Sequence, residues 1–264
     1  LYTTSSNLDG QTNSGDYDIF ITKISRSTLA RQWLQLIGSS TNDVVNSIAV
    51  APDGYVYVGG YTQSSLEGLT NLGDYDVYLS KRDPATGNKV WSVFIGTNTY
   101  DTPRKVAVGA DGSLYVCGYT GGNLEGVINL GGSDAFLSKR SPVDGSNIWT
   151  ILLGTNQFDQ ATDIAVGADG YLYLLAFSSG NFDGVTNQGN YDGFISKRSP
   201  TDGSKVWTFG VASSADDFSY SLAVTSDNAL YVGGYTYGNI NGQTLSGGYN
   251  SFISKYTFQC TLDP

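Results

Sequence analysis

The sequence predicts an all-β fold built from tandem four-stranded sheets, and three observations support it. Similar segments recur at an interval of 58 residues, without insertion or deletion. Helical periodicity is absent, whereas short runs rich in Val, Ile, Tyr and Phe alternate with turn residues. Gly supplies 34 of the 264 residues, roughly double the usual share, so frequent turns are expected.

The most regular segment reads Asp, any residue, an aromatic residue, Ile or Leu, Ser or Thr, and Lys. Its copies begin at Asp18, Asp76, Asp134, Asp192 and, with an amide in place of the acid, Asn250. Two other series keep the same interval: Trp33, Trp91, Trp149 and Trp207, and Asp43, Asp101, Asp159 and Asp217. Matching positions over this length predict a repeat architecture.

Each full repeat is expected to contain four short strands, A to D. Strand A includes Ile48–Val50, and a Pro-Asp-Gly or Ala-Asp-Gly turn leads to strand B, Tyr55–Tyr61. A long loop leads to strand C, Asp76–Lys81, and a second turn, Asp83–Gly87, leads to strand D around Val90–Ile95. Four evenly spaced short strands per repeat are typical of the blades of a β-propeller.

One stretch of the sequence resembles a known family. The run from Asp101 through Val106–Thr120, followed by Asp134–Lys139 and Trp149–Gly154, is similar to the SBBP-type β-propeller repeat. The resemblance extends over nearly the whole chain and implies a β-propeller in a secreted or surface protein of bacteria. It implies no activity, because the family has no shared catalytic residues, and the compact B–C loop departs from the family pattern.

The number of blades depends on the two ends of the chain. By the period, residues 1–4 align with the end of strand B, and residues 257–264 no longer follow the pattern. The strand inventory is five C, four A, four complete B and four D. We predict a single domain over residues 1–264 with five blades; the alternative is four blades, one of them shared by the two termini. The repeats are expected at 1–38 (partial), 39–96, 97–154, 155–212 and 213–264 (partial).

Composition narrows the classes of function. Fourteen Lys and Arg against 24 Asp and Glu give a net charge of −10, so nucleic acid is not an expected partner. The absence of His excludes His-dependent catalysis and His-containing metal sites, and no apolar run is long enough for a membrane span. Because Met is also absent, we expect a processed or partial chain. Cys117 and Cys260 make no disulfide framework; we expect Cys117 to be buried, with no bridge between the two.

A metal hypothesis concerns the loop before strand C. Asp16 and Asp18, and their copies Asp74 and Asp76, present carboxylates two residues apart. Carboxylate and carbonyl oxygens suit a hard cation such as Ca²⁺. The alternative interpretation is that the second Asp of each pair accepts hydrogen bonds from loop amides.

A ligand-binding hypothesis concerns loop tyrosines and repeated acids, which we expect at one end of the sheets. Aromatic rings on polar loops can stack on sugar rings, and the loop tyrosines are Tyr17, Tyr75, Tyr191 and Tyr249, with Ser133 at the third copy. The repeated acids are Glu67, Glu125 and Asp183 in the B–C loop, with Asp9 and Asn241 at the same position, and Asp101, Asp159 and Asp217 between strands D and A. The alternative is a structural role at every copy: rings folded on the loops, acids capping turns, and strand-C lysines paired with the D–A acids. Those lysines are Lys23, Lys81, Lys139, Lys197 and Lys255.

Three functions remain open from the sequence. The preferred one is a non-catalytic, extracellular binding or scaffolding protein, with a glycan or a surface protein as partner and Ca²⁺ as the cofactor to test. The second is a hydrolase that uses carboxylates or Ca²⁺; it would need acids that are unique to single copies, and Asp216, Asp163 and Glu125 are the nearest candidates. The third is a structural surface protein that self-assembles through open sheet edges.

Overall fold

A computed structural model of the chain describes residues 2–3 and 7–257. All regular elements in these residues are β-strands, which confirms the all-β prediction. None of the described residues belongs to a helix long and apolar enough to cross a membrane. Cys117 is fully buried, as expected, whereas Cys260 lies outside the described residues.

The strands form five antiparallel sheets, each ordered as in the chain. The first contains β1 (Tyr2–Thr3), β2 (Asp18–Ile24) and β3 (Arg31–Ile37). The second contains β4 (Asp43–Val50), β5 (Val56–Thr62), β6 (Asp76–Arg82) and β7 (Lys89–Ile95). The third contains β8 (Asp101–Val108), β9 (Leu114–Thr120), β10 (Asp134–Arg140) and β11 (Asn147–Leu153). The fourth contains β12 (Asp159–Val166), β13 (Leu172–Ser178), β14 (Asp192–Arg198) and β15 (Lys205–Val211), and the fifth contains β16 (Asp217–Val224), β17 (Leu230–Thr236) and β18 (Asn250–Tyr256).

The four-strand repeat is therefore confirmed in the second, third and fourth sheets. Strand A is longer than predicted, since it begins at the repeated acid, for example Asp43, and not near Ile48. By contacts the chain divides into two compact units. The first unit is Leu1–Asn129 with Ser138–Thr150, and the second is Leu130–Leu137 with Ile151–Pro264. The single-domain organisation and the blade count stay predictions.

The core of each unit lies between the broad faces of its sheets. The middle strands β5 and β6 are almost completely buried, because side chains on both of their faces pack against other elements. In the first unit, Ile19, Val58 and Tyr78 belong to one buried cluster. In the second unit, Leu175 and Val232 belong to another. The alternation of β-formers read from the sequence thus reflects a core shared by consecutive repeats.

A β-bulge interrupts the first strand of each sheet that has strand A, at the same repeat position. The register shifts fall between Val45 and Ser47, Pro103 and Lys105, Ala161 and Asp163, and Ser219 and Ser221. At two of these bulges, the residue after the register shift accepts a hydrogen bond from the next repeat. The Ser47 hydroxyl accepts a hydrogen bond from the Val106 amide at 3.0 Å, and the Asp163 carboxylate accepts one from the Leu222 amide at 2.9 Å.

The outer strand is linked to the next repeat by its Trp. The indole nitrogen of Trp33 donates to the carbonyl of Pro84 at 3.2 Å, and that of Trp91 donates to Pro142 at 3.3 Å. Gly87, in a left-handed conformation with φ of 74°, lies directly over the Trp33 ring, where a Cβ would come within 2.7 Å of it. Packing between repeats, the structural role expected of these Trp residues, is confirmed for Trp33 and Trp91.

The expected pairing of strand-C lysines with the D–A acids is wrong. Lys81 lies opposite Tyr57 in the sheet, whereas Asp43 and Asp76 both lie opposite Thr62, five residues further along that strand. The lysines lie at the opposite end of the strands, and their interaction partners lie there too. Lys23 and Lys81 donate to the carbonyls of Pro84 and Pro142, Lys197 pairs with Asp169, and Lys139 and Lys255 lie over the rings of Tyr115 and Tyr231.

Candidate functional site

The predicted site elements lie together at one end of each sheet, the end that carries the B–C loop and the D–A connection. We call this the loop end. In the second sheet, Asp43 lies opposite Thr62, and Thr62 lies opposite Asp76. The start of strand A, the end of strand B and the start of strand C therefore lie at the same end of the sheet. This confirms, within the sheet, that the D–A connection and the B–C loop lie at the same end.

Buried aspartates pair up between consecutive repeats at this end. The Asp that opens strand C lies near the Asp that opens strand A of the next repeat, and all eight side chains are fully buried. The backbone joins the same two segments, since the amide of Asp101 donates to the carbonyl of Tyr75 at 2.6 Å. The pairs are Asp18 with Asp43, Asp76 with Asp101, Asp134 with Asp159, and Asp192 with Asp217.

These carboxylates cap the loops that precede them. The Asp101 carboxylate accepts hydrogen bonds from the Thr97 amide and hydroxyl at 2.6 and 2.9 Å. Asp134 likewise accepts from the Leu130 amide at 2.7 Å. Burial raises the pKa of Asp101, and the same effect raises the pKa of Asp43, Asp76, Asp134, Asp159 and Asp192. The structural interpretation of these repeated acids, as acceptors for loop amides, accounts for this geometry.

The paired acids proposed as metal ligands occupy different environments. Asp18 and Asp76 are buried, whereas Asp16 and Asp74 are exposed two residues earlier. The Asp74 carboxylate accepts a hydrogen bond from the side-chain amide of Gln63 at 3.3 Å. Over residues 7–257, no group of three or more His, Cys, Asp or Glu side chains could hold a metal ion. Binding of Ca²⁺ stays a prediction.

The B–C loop acids belong to tight turns that are fixed by ion pairs. Leu66 and Leu69 exchange two backbone hydrogen bonds across a two-residue turn, and Glu67 within it has a φ of 52°. From this left-handed position the Glu67 carboxylate accepts hydrogen bonds from Arg82 at 2.9 Å and from Ser92 at 3.1 Å. Only 3% of the Arg82 side chain is exposed, so Glu67 compensates a buried positive charge.

The same arrangement recurs at three copies and changes at the two outer ones. Glu125 pairs with Arg140 and Asp183 pairs with Arg198, both deeply buried arginines. Asp9 pairs with Arg31 instead, and Asn241 donates to Ser254 and Tyr256. The carboxylates of Glu67, Glu125 and Asp183 are thus already engaged by arginine, and a role for them in ligand binding stays a prediction.

A dense group of aromatic rings lies at the loop end of the second unit. We call it the aromatic cluster; it consists of Phe158, Phe177, Tyr191, Phe218, Tyr220, Tyr235, Tyr237 and Tyr249. The Phe218 ring lies at its centre, 5.0 Å from Tyr235, 5.2 Å from Phe177 and 5.3 Å from Tyr191, measured between ring centroids. Such offset and edge-on pairs stabilise one another and hold each ring in place.

Three tyrosines form the exposed part of this cluster. The exposed fractions are 46% for Tyr220, 45% for Tyr237 and 62% for Tyr249. Tyr237 and Tyr249 pack 5.5 Å apart, and Tyr235 contacts both of them from below. We refer to Tyr220, Tyr237 and Tyr249 as the tyrosine face.

The tyrosine face depends on departures from the repeat. Phe218 stands where the other copies have Val44, Thr102 and Gln160; Tyr220 stands where they have Asn46, Arg104 and Thr162; Tyr237 stands where they have Gln63, Gly121 and Ser179. Of the predicted tyrosines, the structure brings Tyr191 and Tyr249 into the cluster. Tyr75 belongs to the first unit and packs edge-on against Tyr61 at 5.2 Å, and Tyr17 is half-buried in the same unit. Comparison of the copies at each position is the signal that could have found Phe218, Tyr220 and Tyr237.

Asp216 contributes a carboxylate to the aromatic cluster. Its Oδ1 atom accepts a hydrogen bond from the Tyr191 amide at 3.4 Å, and its carbonyl accepts one from the Tyr237 amide at 2.9 Å. Burial is the main cause that raises the pKa of Tyr235, and the charge of Asp216 adds to it. Of the acids suggested for a hydrolase, Asp163 accepts a backbone hydrogen bond and Glu125 is paired with Arg140. The hydrolase hypothesis stays a prediction.

A separate groove of about 670 Å³ lies along β18, lined among others by Ile240, Asn241, Phe252 and Tyr256. In the four-stranded sheets, strand D occupies the corresponding edge of strand C. Among the described residues no strand pairs with that edge of β18. Self-assembly through such an edge stays a prediction.

Comparison with known proteins supports the repeat. Residues 32–67 match the family model SBBP, described as a beta-propeller repeat. The chain is 27% identical over 287 aligned positions to the regulatory protein FlaEY of Caulobacter vibrioides, an alignment that covers 95% of this chain and 30% of that protein. The chain therefore spans less than a third of the length of this relative.

Two solved structures are similar to the chain. One is a protein of unknown function from Bacteroides caccae, with 12% identity and a TM-score of 0.46 over 83% of this chain and 68% of that one. The other is the quinohemoprotein alcohol dehydrogenase ADHIIG from Pseudomonas putida HK5, with 11% identity and a TM-score of 0.44 over 84% of this chain and 42% of that one. With the family match at residues 32–67 and five copies of strand C at one interval, this chain is similar to SBBP-type β-propeller repeat proteins.

Proposed function

We propose that this chain is a non-catalytic, extracellular binding protein, part of a five-bladed propeller, whose ligand is carbohydrate. The observation that carries the proposal is the tyrosine face, where three exposed rings are held by five more rings beneath and beside them. A ring fixed by its neighbours loses little conformational freedom when a ligand stacks on it, which favours binding.

The chemistry of the tyrosine face suits a sugar. The apolar side of a pyranose ring packs on an aromatic ring, while its hydroxyl groups need hydrogen-bonding partners at the edges. Tyr220, Tyr237 and Tyr249 supply both rings and phenol groups, and the Asp216 carboxylate lies next to Tyr191 at the margin of the cluster. Several adjacent rings favour an oligosaccharide over a single sugar, because each added sugar unit can contact a further ring.

A glycan array probed with the intact chain, with and without a chelator, tests the proposal. We expect binding to oligosaccharides, and loss of binding under chelation would extend the proposal to Ca²⁺. Tyr237→Ser introduces the residue that stands at this position as Ser179 and should weaken binding roughly tenfold. The control is Tyr171→Ser, which removes a 37% exposed tyrosine from the A–B turn and has a counterpart in Ser113. Absence of binding to any glycan under both conditions would overturn the proposal.

A further inference from the structure

We infer that the tyrosine face selects a carbohydrate that bears a positively charged ammonium group, such as a hexosamine without its acetyl group. This inference rests on the proposed function and specifies the ligand of the same site. It depends on the distribution of charge around the aromatic cluster and on the identity of residue 216.

Asp216 is a departure from the repeat that adds a negative charge where no other copy has one. The equivalent residues are Asn42, Tyr100 and Phe158. Among the described residues its side chain accepts one hydrogen bond, from the Tyr191 amide to its Oδ1 atom at 3.4 Å. Its charge acts on its surroundings, since it contributes to raising the pKa of Asp192, for which burial is the main cause.

The cations of the second unit lie elsewhere. Its described residues include four Lys or Arg side chains: Lys197, Arg198, Lys205 and Lys255. Lys197 pairs with Asp169, Arg198 pairs with Asp183, and the Lys205 ammonium donates to the carbonyl of Asp183 at 2.9 Å. Lys255 lies over the Tyr231 ring at 5.4 Å. None of these charges is thus placed to neutralise Asp216 or the buried pair Asp192 and Asp217.

The local field therefore favours a cationic ligand. An ammonium group near Asp216 would form a charge-assisted hydrogen bond, which is stronger than a neutral one. The faces of Tyr235, Tyr237 and Tyr249 would add cation–π attraction for the same group. An acetylated amine carries no charge, so it offers no cation–π attraction and only the weaker hydrogen bond of a neutral amide N–H, and the two forms of one sugar should therefore differ in affinity.

Chitosan oligomers and fully acetylated chitin oligomers of the same length are the matched probes, compared by calorimetry at a mildly acidic pH where the free amines are charged. Oligolysine serves as a probe of charge without sugar. The intact chain should bind chitosan oligomers about tenfold more tightly than chitin oligomers, and it should bind oligolysine weakly. Added salt should reduce the difference between the two sugars.

Asp216→Asn should abolish the preference for the amine while retaining binding to chitin oligomers. This variant is expected to fold, because Asn42 occupies the same position in another copy and an amide oxygen can still accept from the Tyr191 amide. Asp227→Asn, which removes one charge from the exposed A–B turn of the same sheet, should keep the preference.

The outcomes separate the inference from the proposed function. Equal affinity for chitosan and chitin oligomers, or an unchanged preference in Asp216→Asn, would overturn the inference and leave the carbohydrate proposal standing. Binding of oligolysine as tightly as chitosan would also overturn it, since charge alone would then explain the affinity. Absence of binding to both sugars, together with an empty glycan array, would overturn both.

Discussion

The fully buried side chains of Asp76 and Asp101 approach each other at the boundary between two repeats, so that the charge of Asp101 acts on Asp76. Burial raises the pKa of Asp76, and the charge of Asp101 raises it further. The Oδ1 atoms of Asp76 and Asp101 have no hydrogen-bonding partner among the described residues. Burial also raises the pKa of Asp101, and the hydrogen bonds that its Oδ2 atom accepts from the Thr97 amide and hydroxyl oppose this in part.

The first prediction concerns the dependence of stability on pH. Because the folded-state pKa of Asp101 lies above its ordinary value of 3.8, its contribution to the free energy of unfolding is fully present below that value. The contribution is lost as the pH rises through the raised pKa. We therefore expect Asp101→Asn, which cannot ionise, to be more stable than the wild type at neutral pH and to lose that advantage in acid.

Urea unfolding of both proteins across the acidic range measures this difference. The control is Asp111→Asn in the exposed A–B turn, where hydrogen bonds to Ser113 lower the pKa of the carboxyl. The contribution of Asp111 to the free energy of unfolding depends on pH in the opposite direction. It is present above the ordinary pKa and is lost as the pH falls through the lowered pKa. An Asp101→Asn difference that grows toward acid would contradict the prediction.

The second prediction concerns the ion pair beneath the B–C loop. Glu67→Gln removes the charge that compensates Arg82, whose side chain is only 3% exposed. We expect the free energy of unfolding to fall by about 2–4 kcal/mol. Asp9→Asn at the same repeat position should cost less than about 1 kcal/mol, because Asp9 and Arg31 are 45% and 47% exposed. Denaturant unfolding measures both; equal losses would show that burial of the arginine does not set the cost.

The third prediction concerns Asp163, which the sequence suggested as a hydrolase candidate. Its carboxylate accepts hydrogen bonds from the Leu222 amide at 2.9 Å and from the Ile164 amide at 2.8 Å. Asp163→Ala leaves both buried amides without this acceptor and should cost about 1–3 kcal/mol. Asp163→Ser should restore much of that loss, since Ser47 accepts the equivalent hydrogen bond in the second sheet. Thermal unfolding of the two variants distinguishes them, and unaltered stability of Asp163→Ala would contradict the structural role.

The strands were predictable from the sequence because their signals are local. Strand C, with its apolar run Val77–Leu79 shortly before Lys81, needs no knowledge of distant residues, and the Asp53–Gly54 turn specifies the hairpin before it. Partners of charged residues were less predictable, since Lys81 and Asp43 have opposite charges but lie at opposite ends of the sheet. Opposite charge alone therefore does not predict which acid pairs with a strand-C lysine.

The aromatic cluster was predicted only in part because its rings come from separate segments. Tyr191 and Tyr249 recur in the repeat and were identified, whereas Phe218 and Tyr237 replace non-aromatic residues at single copies. The register of β16 with β17 sets Phe218 opposite Tyr235. That relationship appears only when the sheet is assembled, so a pattern along the chain does not reveal it.

One paired measurement tests most directly whether the repeated Tyr75 maintains the architecture while Tyr237, a departure from the repeat, binds the ligand. Tyr75→Ser and Tyr237→Ser each introduce a residue that another copy has at that position, Ser133 or Ser179. Both variants are assayed for urea unfolding and for oligosaccharide binding. We expect Tyr75→Ser to lower the free energy of unfolding by roughly 1–2 kcal/mol with binding unchanged, and Tyr237→Ser to weaken binding with a smaller loss of stability, because the Tyr237 ring is 45% exposed. The reverse pattern, with binding lost in Tyr75→Ser and retained in Tyr237→Ser, would contradict the account.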